Sequence, residues 1–205
     1  MPHGYPLMLD VSQRLVVVIG GGAVAVRKAK GLLEAGATRV RVVAPGFHPE
    51  MPPQVERVVA TYETKHLDGA QLVFAATDSP AVNEQVARDA AARGAWVNRS
   101  DDGERGDFAT PARLRQGEVI VTVSTAGNAA LAAAIRDDLA AKLDPRHVKL
   151  ADAMKTLRPA VRNSVADPQR RAAILRDLAS EGALHAVAVD NLREWIQSRY
   201  PDLKF

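Results

Sequence analysis

The sequence predicts an α/β fold: a mostly parallel sheet with helices on both faces, then a small α+β segment and a helical tail. Three observations carry this. Apolar β-branched runs alternate with helix-forming stretches through the first half of the chain. A glycine-rich turn joins the first such run to the first helical stretch. Beyond Pro145 no strand candidate occurs, and Leu150, Met154, Leu157 and Val161 recur at helical spacing.

The elements follow in order. Leu15 to Ile19 is apolar throughout, as a strand covered on both faces would be. Ala23 to Ala35 holds good helix formers, and Gly36 stands where a C-terminal cap belongs. Val40 to Val43 reads as a second strand, stopped by Pro45 and Gly46. Together these make one βαβ unit of about 30 residues. Val55 to Thr61 reads as an edge strand and Gln71 to Ala76 as an apolar strand. Ser79 and Pro80 look like an N-cap and first helical position, opening a helix to Arg93. Ala95 to Asn98 is the next strand.

The rhythm changes near Phe108. Phe108 to Pro111 and Glu118 to Ser124 read as two strands around a turn at Arg115 to Gly117, followed by an alanine-rich helix from Ala129 to Leu143. In the tail, Asp167 and Pro168 form a cap pair, Ile174 and Leu178 keep helical spacing, and Leu184 to Tyr200 reads as one last helix. The expected division is residues 1–112, a linking segment 113–146 and a helical domain 147–205.

Composition removes several function classes. The absence of cysteine excludes disulfides, cysteine-ligated metal centres and a thiolate nucleophile. The five histidines, at positions 3, 48, 66, 147 and 185, show no i, i+4 pair, so no resident metal site is expected. A net charge of +3, without a basic run, argues against nucleic acid. No stretch approaches the roughly 18 apolar residues of a membrane span, and the N-terminus lacks the pattern of a secretory signal. The protein therefore reads as soluble and cytoplasmic.

Gly20-Gly21-Gly22-Ala23-Val24-Ala25 matches G-x-G-x-x-[GA] between a strand and a helix, the context that gives this pattern meaning. The first glycine permits a tight turn, Gly22 lets a pyrophosphate approach the backbone, and the small residue at the end lets helix and strand pack closely. Bare N–H groups at the helix start favour an anion. This is the turn of a Rossmann-type sheet. The second strand ends Val43-Ala44-Pro45, without the acid that usually binds the adenosine ribose and without an adjacent arginine for a 2′-phosphate. NAD is favoured over NADP. A second polar segment, Asn98 to Phe108, follows a strand's carboxyl end and offers Asp101, Asp102 and Asp107 as acid–base candidates.

Taken together, an ordered set of residues resembles the precorrin-2 dehydrogenase and sirohydrochlorin ferrochelatase family, also found as the N-terminal module of siroheme synthase. The set is Tyr5 to Asp10, Gly20 to Lys28, Leu32 to Gly36, Val42 to Pro45, Ala75 to Asp78, Val82-Asn83, Asn98-x-x-Asp101, Asp107-Phe108-x-x-Pro111-Ala112 and Val121-x-Val123-Ser124-Thr125-x-Gly127. It is dense over residues 5 to 143. The resemblance implies NAD-dependent oxidation of precorrin-2 to sirohydrochlorin, in some members with insertion of ferrous iron, by a homodimer whose 113–146 segment dimerises. It places the cofactor at Gly20, Gly21, Gly22, Ala23, Val24, Ala25, Ala44, Pro45 and Thr77. Asp101 falls on the family's general base. Ser124, Thr125, Gly127 and Asn128 fall on the loop facing the tetrapyrrole, and Arg99 and Arg105 are candidates for its carboxylates. Lys28 is a further candidate of that kind, as are Arg27, Arg113 and Arg136.

Two departures qualify it. The Ser-Pro pair common after the loop glycine is missing, since the chain reads Gly127-Asn128-Ala129. No methyltransferase module follows, so the stand-alone form is expected. The competing reading is a nucleotide-sensing Rossmann module without chemistry. Such modules usually keep the ribose-binding acid, and would not need the Asn98 to Pro111 constellation.

Overall fold

All five residues of β1 (Leu15–Ile19) are buried, and they divide between two cores. Val16 and Val18 pack with Ala25, Val26, Ala29 and Leu32 of α1 (Ala23–Glu34). Leu15, Val17 and Ile19 pack with Val86 and Ala90 of α2 (Pro80–Ala92). Side chains alternate across a strand, so an unbroken apolar run is what two covered faces require. A computed structural model shows this arrangement and describes residues 4–102 and 105–204.

The other strands of this sheet are β2 (Arg39–Ala44), β3 (Glu56–Val59), β4 (Leu72–Ala75) and β5 (Trp96–Arg99). Their order is β3-β2-β1-β4-β5, and every pair is parallel. The chain leaves β1 toward β2 and β3, then returns to the other side of β1 for β4 and β5. The order therefore reverses between β1 and β4, which opens a crevice at their carboxyl ends. Each expected strand and helix of this region is present, with ends shifted by a residue or two. A short 3-10 turn at Thr64–Leu67 is an addition.

The chain divides between Thr110 and Pro111 into two units. The second opens with an antiparallel hairpin, β6 (Ala112–Gln116) and β7 (Val119–Val123). The strand expected at Phe108 to Pro111 does not form. Pro111 has no N–H to donate to a ladder, and Phe108 packs edge-on against Phe74 in the first unit at 5.3 Å between ring centres. The hairpin turn is Gly117-Glu118, with Gly117 at φ +53. The Asp152 carboxylate accepts the Glu118 amide at 2.8 Å and leaves no room for a Cβ on Gly117.

Five helices complete this unit: α3 (Ala129–Lys142), α4 (Pro145–Ser164), α5 (Pro168–Asp177), α6 (Glu181–Ala188) and α7 (Leu192–Arg199). The last two replace the single helix expected from Leu184 to Tyr200. Asp190 turns left-handed at φ +53, and the Asn191 amide reaches back to the Ala186 carbonyl at 2.8 Å, closing α6 as a Schellman motif does. Helix starts are capped by side chains at Ser79, Asn128, Asp144, Asp167 and Ser180. At Gly22, ahead of α1, no side chain does this.

Candidate functional site

The glycine turn lies at the point where the strand order reverses. Gly20 adopts φ +125 and donates its amide to the Val43 carbonyl at 2.9 Å, which binds the turn to the end of β2. A Cβ on Gly20 would enter the Ala76 carbonyl just past β4. A Cβ on Gly21 would enter the Gly46 carbonyl and press on Ala44 at 2.8 Å. The Gly21 carbonyl in turn accepts the His48 amide at 2.8 Å. A Cβ on Gly22 would meet nothing within 4 Å. Two glycines are thus demanded by the protein itself. The third keeps open space in front of the first turn of α1, where bare amides and the helix dipole favour a phosphate.

Ala44 and Pro45 flank this turn from the end of β2, and Thr77 borders it from the end of β4. Thr77 is held by Asn83, a fully buried residue of α2. Asn83 Oδ1 accepts the Thr77 amide at 3.1 Å and its hydroxyl at 2.8 Å, and Asn83 Nδ2 donates to the Thr77 carbonyl at 3.0 Å. Gly20, Gly21, Gly22, Ala23, Val24, Ala25, Ala44, Pro45 and Thr77 thus share the carboxyl edge of one sheet.

Asp101 stands two residues beyond β5 at the same edge. Arg99 Nη2 donates to Asp101 Oδ2 at 2.9 Å and Arg99 Nε to Asp101 Oδ1 at 3.3 Å. The remaining nitrogen, Nη1, donates to Glu84 of α2. Arg99 is 5% exposed. Expected to face substrate, it is turned inward, because alternation along β5 sends Val97 and Arg99 to the α2 side of the sheet. The Arg99 guanidinium holds the Asp101 carboxyl below its ordinary range; burial opposes this, and Asn83 adds to it. Arg105 is exposed and pairs with Asp102 at 3.3 Å. Asp107 serves the backbone, accepting the Val97 amide at 2.8 Å through Oδ2.

On the opposite face of β5, Asn98 donates to the Phe108 carbonyl at 2.8 Å, while its buried Oδ1 has no partner among the described residues. Nearby, Lys28 donates to the Thr110 hydroxyl at 2.6 Å and lies 5.2 Å from the Phe74 ring centre. Burial, and then the charge of Arg27, pulls the Lys28 amine down to about 8. Among the described residues no group of three or more His, Asp or Glu is placed to hold a metal, and no helix is long and apolar enough to cross a membrane.

Ser124, Thr125, Gly127 and Asn128 belong to the second unit. Gly127 adopts φ +86, the Thr125 hydroxyl donates to the Asn128 carbonyl at 2.6 Å, and Asn128 caps α3 by accepting the Leu131 amide at 3.0 Å. They form one ordered loop ahead of that helix.

The family model NAD_binding_7, described as NAD(P)-binding, matches residues 7–112, half of the chain. The chain belongs to this family. Its match covers the glycine turn, Thr77 and the Arg99–Asp101 pair. The siroheme synthase of Photobacterium profundum is 42% identical over 149 residues, 70% of this chain and 31% of that protein. The siroheme synthases of Chromobacterium violaceum and Pseudomonas aeruginosa are 36% and 37% identical over 82% and 81% of this chain. In both, 37% of the relative is covered. The chain thus spans about a third of the length of these curated relatives. A solved structure titled "SirC, precorrin-2 dehydrogenase" superposes with a TM-score of 0.80 over 95% of this chain and 98% of that one. At 24% identity this likeness is one of fold.

Asn83 and Glu84 carry the site without having been assigned a role from sequence. Asn83 could have been suspected, since it is four residues past the Ser79 cap and so faces the end of the preceding strand. Glu84 is fifteen residues from Arg99, and no local pattern announces that pairing.

Proposed function

We propose that this chain binds NAD at the glycine turn and dehydrogenates precorrin-2 to sirohydrochlorin. One observation carries the reading: a carboxylate kept ionised by Arg99 stands on the sheet edge that also presents the glycine turn. The siroheme synthase relatives and the fold shared with the SirC structure support the same assignment.

The residues fit a dinucleotide. Gly22 leaves room for a pyrophosphate against the amides of α1, and beside the buried Ala44 the exposed Pro45 offers an apolar surface to the adenosine. No acid ends β2 to repel a 2′-phosphate, but no arginine directly follows Pro45 in the sequence to bind one, which favours NAD over NADP. When bound, the nicotinamide supplies the hydride acceptor. Thr77, fixed by Asn83, borders its place. Asp101 accepts the proton that leaves the substrate carbon, and its ionised form is ready for this throughout the neutral range.

The Ser124 to Asn128 loop of the second unit carries hydroxyl and amide groups that suit carboxylates, and Arg105 of the first unit is an exposed cation of the right kind. Arg99, already bonded to two carboxylates of the chain, is assigned a supporting role instead. The protein acts as a homodimer through the segment 113–146. Leu131, Ile135 and Leu139 support this: they recur every fourth residue along α3 and are 50%, 36% and 42% exposed.

The test is direct. Purified protein is mixed anaerobically with precorrin-2 and NAD, and sirohydrochlorin absorbance is followed. NAD-dependent product is expected; its absence overturns the reading. Asp101→Asn should retain fold and NAD affinity while turnover falls by at least about 10²-fold, the usual effect of losing a general base.

A further inference from the structure

Asp101 leaves β5 on a short loop, where a carboxylate would ordinarily rotate freely. Here the Arg99 guanidinium meets it side-on: Nη2 takes one oxygen at 2.9 Å and Nε the other at 3.3 Å. Such a fork fixes the plane of the carboxylate as well as its charge, which an ammonium cannot do. Arg99 is itself braced. Its third nitrogen bonds Glu84 on α2, and Arg105 approaches the same Glu84 oxygen at 4.0 Å. With 5% exposure, the arginine has no free face to offer a ligand.

We propose that Arg99 is a positioning residue: braced from α2 by Glu84, it fixes the Asp101 carboxylate in one orientation at the carboxyl end of β5. The inference rests on the dehydrogenase reading, in which Asp101 receives the substrate proton. The paired guanidinium makes the carboxylate a weaker base, so Asp101 works through alignment more than through basicity. The side-on fork occupies one direction at each oxygen, and Asn83 acts on the same carboxylate from α2. The bracing joins three parts of the fold, since α2 also carries Asn83, which holds Thr77 at the cofactor edge.

The experiment compares wild type, Arg99→Gln and Arg99→Lys by two independent readouts. The first is steady-state kinetics against pH. Arg99→Gln is expected to lose about 10²-fold in kcat, the scale of a misplaced reacting group, with KM for NAD and precorrin-2 within about twofold of wild type. Its acid limb should move to higher pH. Arg99→Lys should bring the acid limb back toward wild type while recovering little of kcat, because charge returns without the fork. The second readout is the carbon NMR titration of the Asp101 carboxyl, which needs no turnover: its midpoint should rise in Arg99→Gln. A raised KM with unchanged kcat would place Arg99 on the substrate and overturn the proposal. An Asp101 midpoint unmoved by Arg99→Gln would overturn it as well. If wild-type protein forms no sirohydrochlorin, the functional reading falls, and the titration alone still decides whether Arg99 holds Asp101.

Discussion

The carboxamide of Asn83 answers every polar group of Thr77 at once, accepting from its amide and hydroxyl and donating to its carbonyl at 2.8 to 3.1 Å. One residue of α2 thereby sets the loop that ends β4. Because Asn83 is fully buried, no water can substitute for it.

Replacing Asn83 with leucine keeps the volume but removes the partner of the Thr77 amide and carbonyl, while the Thr77 hydroxyl keeps Ser79. The expected loss is about 1–3 kcal/mol of stability, the cost of leaving buried donors or acceptors unmade. NAD affinity should fall with it, since Thr77 borders the cofactor. Urea unfolding and NAD titration check both; an unchanged midpoint would show that the loop holds without Asn83.

Two of the turn glycines, Gly21 and Gly22, should separate by phenotype. Gly21→Ala forces a methyl into the Gly46 carbonyl, so stability itself falls, by about 1–3 kcal/mol as for overpacked sites. Gly22→Ala meets no protein atom, and its thermal midpoint should stay near wild type. Its Kd for NAD should rise about tenfold or more, equal to about 1.4 kcal/mol, because the methyl occupies the pyrophosphate's approach. Calorimetry on the two variants distinguishes the roles, and equal NAD affinity in Gly22→Ala would contradict the assignment.

Lys28 gives a pH signature. Its amine is pulled down to about 8 in the folded chain from an unfolded value of 10.5. Between those values the unfolded chain binds more protons, so this group makes stability rise with pH across that window. Below it, the folded protein bears the full cost of a desolvated charge. Lys28→Met should therefore stabilise the protein at neutral pH, and its advantage over wild type should shrink as pH rises from 8 toward 10.5. Urea midpoints of the two proteins across this range measure the difference. A constant advantage would mean that burial does not govern the lysine.

The apolar stripe on α3 bears on assembly. Ile135→Asp in the middle of Leu131, Ile135 and Leu139 should convert a dimer to a monomer, read as a halving of mass in light scattering. The helix should persist, since the side chain is 36% exposed in the isolated chain. A wild-type protein already monomeric at tens of micromolar would remove the stripe from the account.

Most of the first unit was legible because one physical rule, two covered faces on a parallel strand, writes itself into Leu15 to Ile19 and its counterparts. The glycine turn was legible for a similar reason: a close approach of backbones leaves few residue choices. What escaped was settled by partners distant in sequence or by single backbone angles. Arg99 looked like a candidate for substrate carboxylates until the alternation of β5 turned it toward Glu84. Asp107 looked like an acid–base group and proved to secure the Val97 amide. The helix from Leu184 to Tyr200 kept its spacing through Asp190, yet one left-handed residue divided it. Pro159 shows the converse, since α4 runs through it unbroken. Its missing donor is tolerated where Leu157 and Val161 are anchored in the core.

The bare start of α1 has a consequence for the life of the protein. Five helices carry side-chain caps, whereas α1 begins at Gly22 without one, as α7 does at Asn191. A dinucleotide seated at the start of α1 would finish that helix as a polar side chain finishes those five. The cofactor would then be a piece of the scaffold as well as a reagent. Resistance of the chain to proteases would then follow the supply of nucleotide.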